Sequence, residues 1–234
     1  GVREGTIGAE RLIKMLQVEN DCLAVDAKGI YTVENYLMAR RLMYWQVYLH
    51  KTAVAGEETL RLALRRAKEL SMTGVKLFAS PALNHFLNQN ITIEEFENNA
   101  SHLDMYAQLD DSDILCAMKV WQYSDDLILS ILAGNFINRR FFKVEVCTGG
   151  VDEERVWNYK QDIVKRLGIS MADADYFVRT VAVEKEMYNT TSQGIRLLYP
   201  DGDVRELASV SNIVRSETIE AVEQKFYLLK LRLE

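Results

Sequence analysis

The chain has 234 residues, 48% of them hydrophobic, enough to bury a substantial core in one large domain or two small ones. Its 28 Lys and Arg against 34 Asp and Glu give a formal charge of −6, a poor match to non-specific binding of nucleic acid or anionic membrane. The three cysteines, Cys22, Cys116 and Cys147, are far apart and form no CxxC, which argues against a disulfide framework or a zinc knuckle and for a reduced, cytoplasmic setting.

In chain order, the first residues, Gly1-Val2-Arg3-Glu4-Gly5, are no signal peptide, and the missing Met points to a piece of a longer protein. Residues 7–16 read as a short helix with Leu12, Ile13 and Leu16 on one side. A strand is expected around Cys22, Ala24 and Val25, turning at Lys28-Gly29. Residues 31–70 are helical by pattern, with Gly56 as the weak point, where either two helices meet or one bends. Arg61, Arg65, Arg66 and Lys68 are expected on a solvated face, opposite Leu60, Ala63, Leu64 and Ala67. Ser80-Pro81 starts a helix, and Thr92-Ile93-Glu94-Glu95 is a capping box. Ser112 and Ser124 are expected to cap two more helices. The apolar run near residues 127–133 is too short to span a bilayer.

After Arg139 the character changes. Residues 140–147 alternate as a strand, with Phe142, Val144 and Val146 on one side, and Gly149-Gly150 breaks it. Residues 153–167 form a helix ending at Gly168, and residues 175–183 read as a strand. Residues 194–207 form a hairpin about Pro200-Asp201-Gly202-Asp203. A helix over 217–224 and a strand over 226–231 close the chain. The expected fold is mostly α with a C-terminal α+β subdomain: a helical region at 1–139 and a smaller α+β part at 140–234.

Few motifs carry chemistry. None of His50, His85 and His102 is four residues from another, and no HExxH, His-Asp pair or Cys/His cluster occurs. Asp110-Asp111-Ser112-Asp113 lacks the glycine and closing glutamate of a calcium loop, so acidic helix capping explains it. There is no GxSxG, and Gly149-Gly150 lacks the Lys-Ser/Thr of a phosphate loop. The remaining candidate is residues 40–51. At ~100° per residue, Arg40, Tyr44, Tyr48 and Lys51 share one helical stripe, with His50 on the neighbouring surface. Cations could meet phosphates there while rings pack on a base or sugar. The plain alternative is an amphipathic helix whose arginine and lysine snorkel at the rim.

Those residues also carry a resemblance. Glu10-Arg11-Leu12-Ile13-Lys14, Lys28-Gly29-Ile30-Tyr31, Arg40-Arg41-Leu42-Met43-Tyr44, Gln46-Val47-Tyr48 and His50-Lys51 resemble the HD-superfamily phosphohydrolases of the deoxynucleoside triphosphate triphosphohydrolase type. Leu109-Asp110-Asp111-Ser112-Asp113-Ile114, Lys119-Val120-Trp121, residues 138–143, Tyr188-Asn189 and Gly202-Asp203-Val204 extend the similarity along nearly the whole chain. The resemblance implies that a His…His-Asp…Asp set holds a divalent metal and that water attacks the α-phosphate, giving deoxynucleoside and triphosphate. Those ligands would lie upstream of Gly1, so the fragment is expected to hold no metal or other cofactor and to be inactive alone. Arg40 matches a family contact to the substrate triphosphate, and Tyr48 one to the deoxyribose. Arg11, His50 and Lys51 match positions binding an activating nucleotide between subunits, which implies a homo-oligomer with a deoxynucleotide substrate. Leu49, Gln46 and Gly8 depart from that pattern. The alternative is a non-catalytic assembly or regulatory module of an HD-family protein that is inactive or acts on another phosphate ester.

Overall fold

The computed structural model describes residues 7–147, 149–185, 188, 194–214 and 223–232. The fold is mostly helical with two small sheets. The chain forms two compact units, each assembled from separated segments: residues 1–50 with 182–226, and residues 51–181 with 227–234.

In the first unit, helix α1 (Ala9–Lys14) leads into strands β1 (Leu16–Glu19) and β2 (Cys22–Asp26). They pair antiparallel with Glu19 opposite Cys22, and the two-residue turn between them has positive φ at both Asn20 (51°) and Asp21 (56°). Both residue types tolerate this left-handed conformation, which suits the twist of a tight hairpin. The expected strand at Cys22 is present. β1 departs from expectation: Leu16 belongs to it, whereas the apolar pattern puts Leu16 on the first helix. After a 3₁₀ turn over Ala27–Gly29, whose Asp26 side chain accepts from the Lys28 N–H, helix α2 runs Ile30–Met43. Later, β5 (Arg196–Leu198) pairs parallel to β2, and β6 (Val204–Glu206) closes the expected hairpin against β5. The sheet order is β1-β2-β5-β6.

Val33 and Leu37 of α2 pack with Val25, Tyr188, Leu197, Leu207 and Val214 in a buried core. The Tyr188 hydroxyl donates to Glu206 (2.5 Å) and accepts from the Ile195 N–H. Burial, then the hydrogen bond to Glu206, pushes its phenol above the ordinary tyrosine value. Buried Glu34 accepts from the Ser211 hydroxyl at 2.6 Å, and Ser211 Oγ in turn accepts from the N–H groups of Ile213 and Val214. The expected helix at 217–224 falls mainly outside the described residues. Residues 223 and 224 belong to β7 (Glu223–Lys230), which takes in most of the closing strand expected at 226–231.

In the second unit, helix α3 (Lys51–Met72) packs on α8 (Leu127–Ile137) and lies beside α4 (Pro81–Leu87), with Ala63 and Ala67 fully buried. Gly56 does not break it: the helix runs through, and the Phe141 ring lies at van der Waals distance from where a Cβ at Gly56 would sit. Helices α5 (Ile93–Asn98), α6 (Ala100–Ala107) and α7 (Asp111–Trp121) come after α4. The Ser80 cap and the Thr92–Glu95 capping box are present. The later two caps are not the expected serines. Asp110 caps α7 in a capping box with Asp113, and Asp126 caps α8. A carboxylate at each N-cap meets the free N–H groups and the positive end of the helix together.

Strand β3 (Lys143–Cys147) begins three residues later than expected, with Phe142 buried but Val146 exposed. Helix α9 (Glu153–Leu167) ends at Gly168 in the left-handed conformation (φ 67°) that glycine adopts without strain. A 3₁₀ turn over Asp173–Tyr176 takes the start of the next expected strand, and β4 runs Val178–Lys185. The second sheet has the order β3-β7-β4.

Candidate functional site

Helix α2 does not continue into α3. From Tyr44 to Tyr48 the backbone widens into a π-helical turn, with the Leu49 N–H donating to the Tyr44 carbonyl five residues back at 2.7 Å. The His50 N–H then reaches the Val47 carbonyl at 3.4 Å, the regular helix stops, and α3 starts afresh at Lys51. The stripe drawn at a constant helical angle is therefore wrong beyond Tyr44, because a π-turn adds a residue to the ladder and rotates every later position.

The π-turn nevertheless brings three of the expected residues together. The Arg40 guanidinium lies over the Tyr44 ring, 5.5 Å from its centroid, and the Tyr44 and Tyr48 rings sit 5.4 Å apart at a 54° tilt. Arg40 is half-buried, yet it makes no hydrogen bond or ion pair with any described residue. Tyr48 is 59% exposed. A cation resting on one phenol, with a second phenol next to that ring and open to solvent, puts charge close to aromatic surface. This arrangement can take an anion joined to a flat or furanose group.

Sequence reasoning missed a long-range cation–π contact in this unit. Lys225 Nζ lies 3.9 Å above the Trp45 ring. The two residues are far apart in the chain, so no local pattern could pair them. Of the remaining expected residues, Arg11 is exposed in the last turn of α1, His50 is exposed where the π-turn ends, and Lys51 opens α3 in the other unit.

The described residues do not fit a metal centre: none forms a group of three or more His, Cys, Asp or Glu placed to hold an ion. The nearest approach is a pair. His85 Nε2 and His102 Nδ1 lie 2.8 Å apart, flanked by Gln89 and Asn99, with Phe96 stacked on His102. Among the described residues, no helix is long and apolar enough to cross a membrane.

Residues 7–85 match the family described as the HD associated region. The uncharacterized protein YwfO of Bacillus subtilis is 31% identical over 223 residues, covering 92% of this chain and 48% of that protein. The crystal structure of a phosphohydrolase from Bacteroides thetaiotaomicron superposes with a TM-score of 0.90 at 46% identity, over 98% of this chain and 57% of that one. A hypothetical protein from Aquifex aeolicus, 21% identical with a TM-score of 0.53 over 99% of this chain and 50% of that one, shares the fold. The chain thus spans about half the length of these relatives. It carries an HD-associated region over residues 7–85 and is similar, along nearly its whole length, to part of a solved phosphohydrolase.

Proposed function

We propose that this chain is the nucleotide-pocket and assembly half of an HD-type phosphohydrolase that cleaves deoxynucleoside triphosphates to deoxynucleoside and triphosphate. The observation that carries the proposal is Arg40: half-buried, stacked on Tyr44, beside exposed Tyr48, and without an anionic partner among the described residues. In this reading Arg40 donates to the triphosphate and Tyr48 packs on the deoxyribose. The 46% identity to the Bacteroides phosphohydrolase supports the reaction class. No step is assigned to a metal, because the described residues do not fit one.

A charge-assisted hydrogen bond from Arg40 contributes about 1.5–3 kcal/mol. Arg40→Ala in the intact enzyme should therefore cut triphosphate release from dNTP about tenfold or more, with Arg40→Lys intermediate. This chain alone serves as the blank and should release none. Unchanged turnover in Arg40→Ala would remove Arg40 from the pocket.

A second role, assembly of a homo-oligomer, is favoured by the β1–β2 hairpin. Val18 and Leu23 face each other across it and are 69% and 63% exposed. Arg11, His50 and Lys51 would bind an activating nucleotide in such an assembly.

A further inference from the structure

The C-terminus of α3 ends in two diagnostic hydrogen bonds. The Gly74 N–H reaches the Ser71 carbonyl and the Val75 N–H reaches the Leu70 carbonyl, both at 3.0 Å, with Gly74 at φ 93°. This is the glycine-terminated cap that turns a chain sharply off a helix and sets one apolar residue against another, here Val75 and Leu70. The chain then runs outside any helix or strand until Ser80 caps α4. Along residues 76–79, one backbone group is engaged among the described residues: the Phe78 carbonyl accepts from Trp121 Nε1 at 2.9 Å.

That segment divides two cavities. One, of about 640 Å³, is mainly apolar, with Leu70, Val75, Phe78, Val120, Trp121 and Tyr123 in its lining. The other, of about 460 Å³, is more polar, with Ser71, Leu77, Asn84 and Asn88. Phe78, Val120 and Tyr123 are exposed although large and apolar. Lys76 lines both cavities and Lys119 lines the larger. Both lysines are exposed and have no acidic partner among the described residues. Asp126 is already held by Arg66. The unpaired charge at the larger cavity is therefore two lysines against Asp125.

Open main-chain groups beside an apolar trough are what an extended peptide needs: backbone hydrogen bonds supply affinity, and alternate side chains supply specificity. We propose that this groove is a docking site for an extended acidic–apolar peptide segment of another protein. The peptide lies along residues 76–79, sets its apolar side chains against exposed Phe78, Val120 and Tyr123, and brings a carboxylate to Lys76 and Lys119. The site is independent of the nucleotide reading and uses none of its residues.

The test pans a random heptapeptide phage library on the full chain. Enriched peptides should carry apolar residues at alternate positions with Asp or Glu between them. They should lose at least tenfold in affinity to the Lys76→Glu/Lys119→Glu double variant. That variant, whose changes fall on exposed side chains and whose fold is checked by circular dichroism, should instead enrich Lys- or Arg-bearing peptides. N-methylation of alternate peptide amides should abolish binding. The proposal is overturned by no enrichment, by peptides that bind the double variant unchanged, or by a homodimer that Val120→Asp converts to monomer.

Discussion

The Asp126 carboxylate meets two demands. It accepts from the Leu129 N–H at 2.8 Å, capping α8, and it holds Arg66 through two bonds of 3.0 and 2.6 Å. The arginine expected on a solvated face is thus a structural partner, largely withdrawn from water. Burial alone would raise the Asp126 pKa, but the Arg66 hydrogen bonds and the helix N–H groups outweigh it and hold the acid below its ordinary value near 3.8. Such a group stabilises the fold fully above that ordinary value, and the contribution is lost as pH falls through the lower folded-state value. Asp126→Asn keeps a cap but strands Arg66, and with solvent screening should cost about 1–2 kcal/mol. Asp126→Ala should cost about 1 kcal/mol more by removing the cap. Urea unfolding at pH 7 checks both. A titration from pH 6 to 3 should show wild type converging on Asp126→Asn at the acid end, and a constant gap would place the stabilisation elsewhere.

At the scale of elements, Gly56 separates composition from context. A Cβ there would meet the Phe141 ring at 3.4–3.5 Å, ordinary contact rather than a clash. Alanine in a helix interior is worth about 0.8–1 kcal/mol over glycine. Gly56→Ala should therefore raise the midpoint of thermal unfolding, whereas Gly56→Leu should overpack Phe141 and cost about 1–3 kcal/mol. A lower midpoint for the alanine variant would mean that the added methyl disturbs the packing of Phe141 on α3. Local chemistry was legible: the Ser80 and Thr92 caps, Gly168 and the Asp201-Gly202 hairpin each act within a few residues. The Asn20-Asp21 turn is equally local, yet the β1–β2 hairpin was not expected, because the apolar residues up to Leu16 read as helix. The π-turn was not legible, since a wheel assumes the very angle that the turn alters. Nor was Trp45–Lys225, a contact made by tertiary folding alone.

At the scale of the whole molecule, the apolar face of the β1–β2 hairpin runs outward from the core. Val25 is buried, its partner Leu16 is partly open, and Val18 and Leu23 are largely exposed. Exposed apolar area of this kind is consistent with the assembly proposed above. Light scattering behind size exclusion should show an oligomer that Val18→Asp or Leu23→Asp shifts toward monomer, and a wild-type monomer at all concentrations would end the assembly reading. The interleaving of the two units bears on a different matter, the order in which the chain can be made. Val33 and Leu37 leave the ribosome before residues 51–181, but Leu197, Leu207 and Val214, which cover them, come after all of that segment. Domains generally fold as units during synthesis at ~5–20 residues per second. The first unit is begun before residues 51–181 are made and is closed only after them, so the apolar side chains of its nascent half wait seconds for their cover.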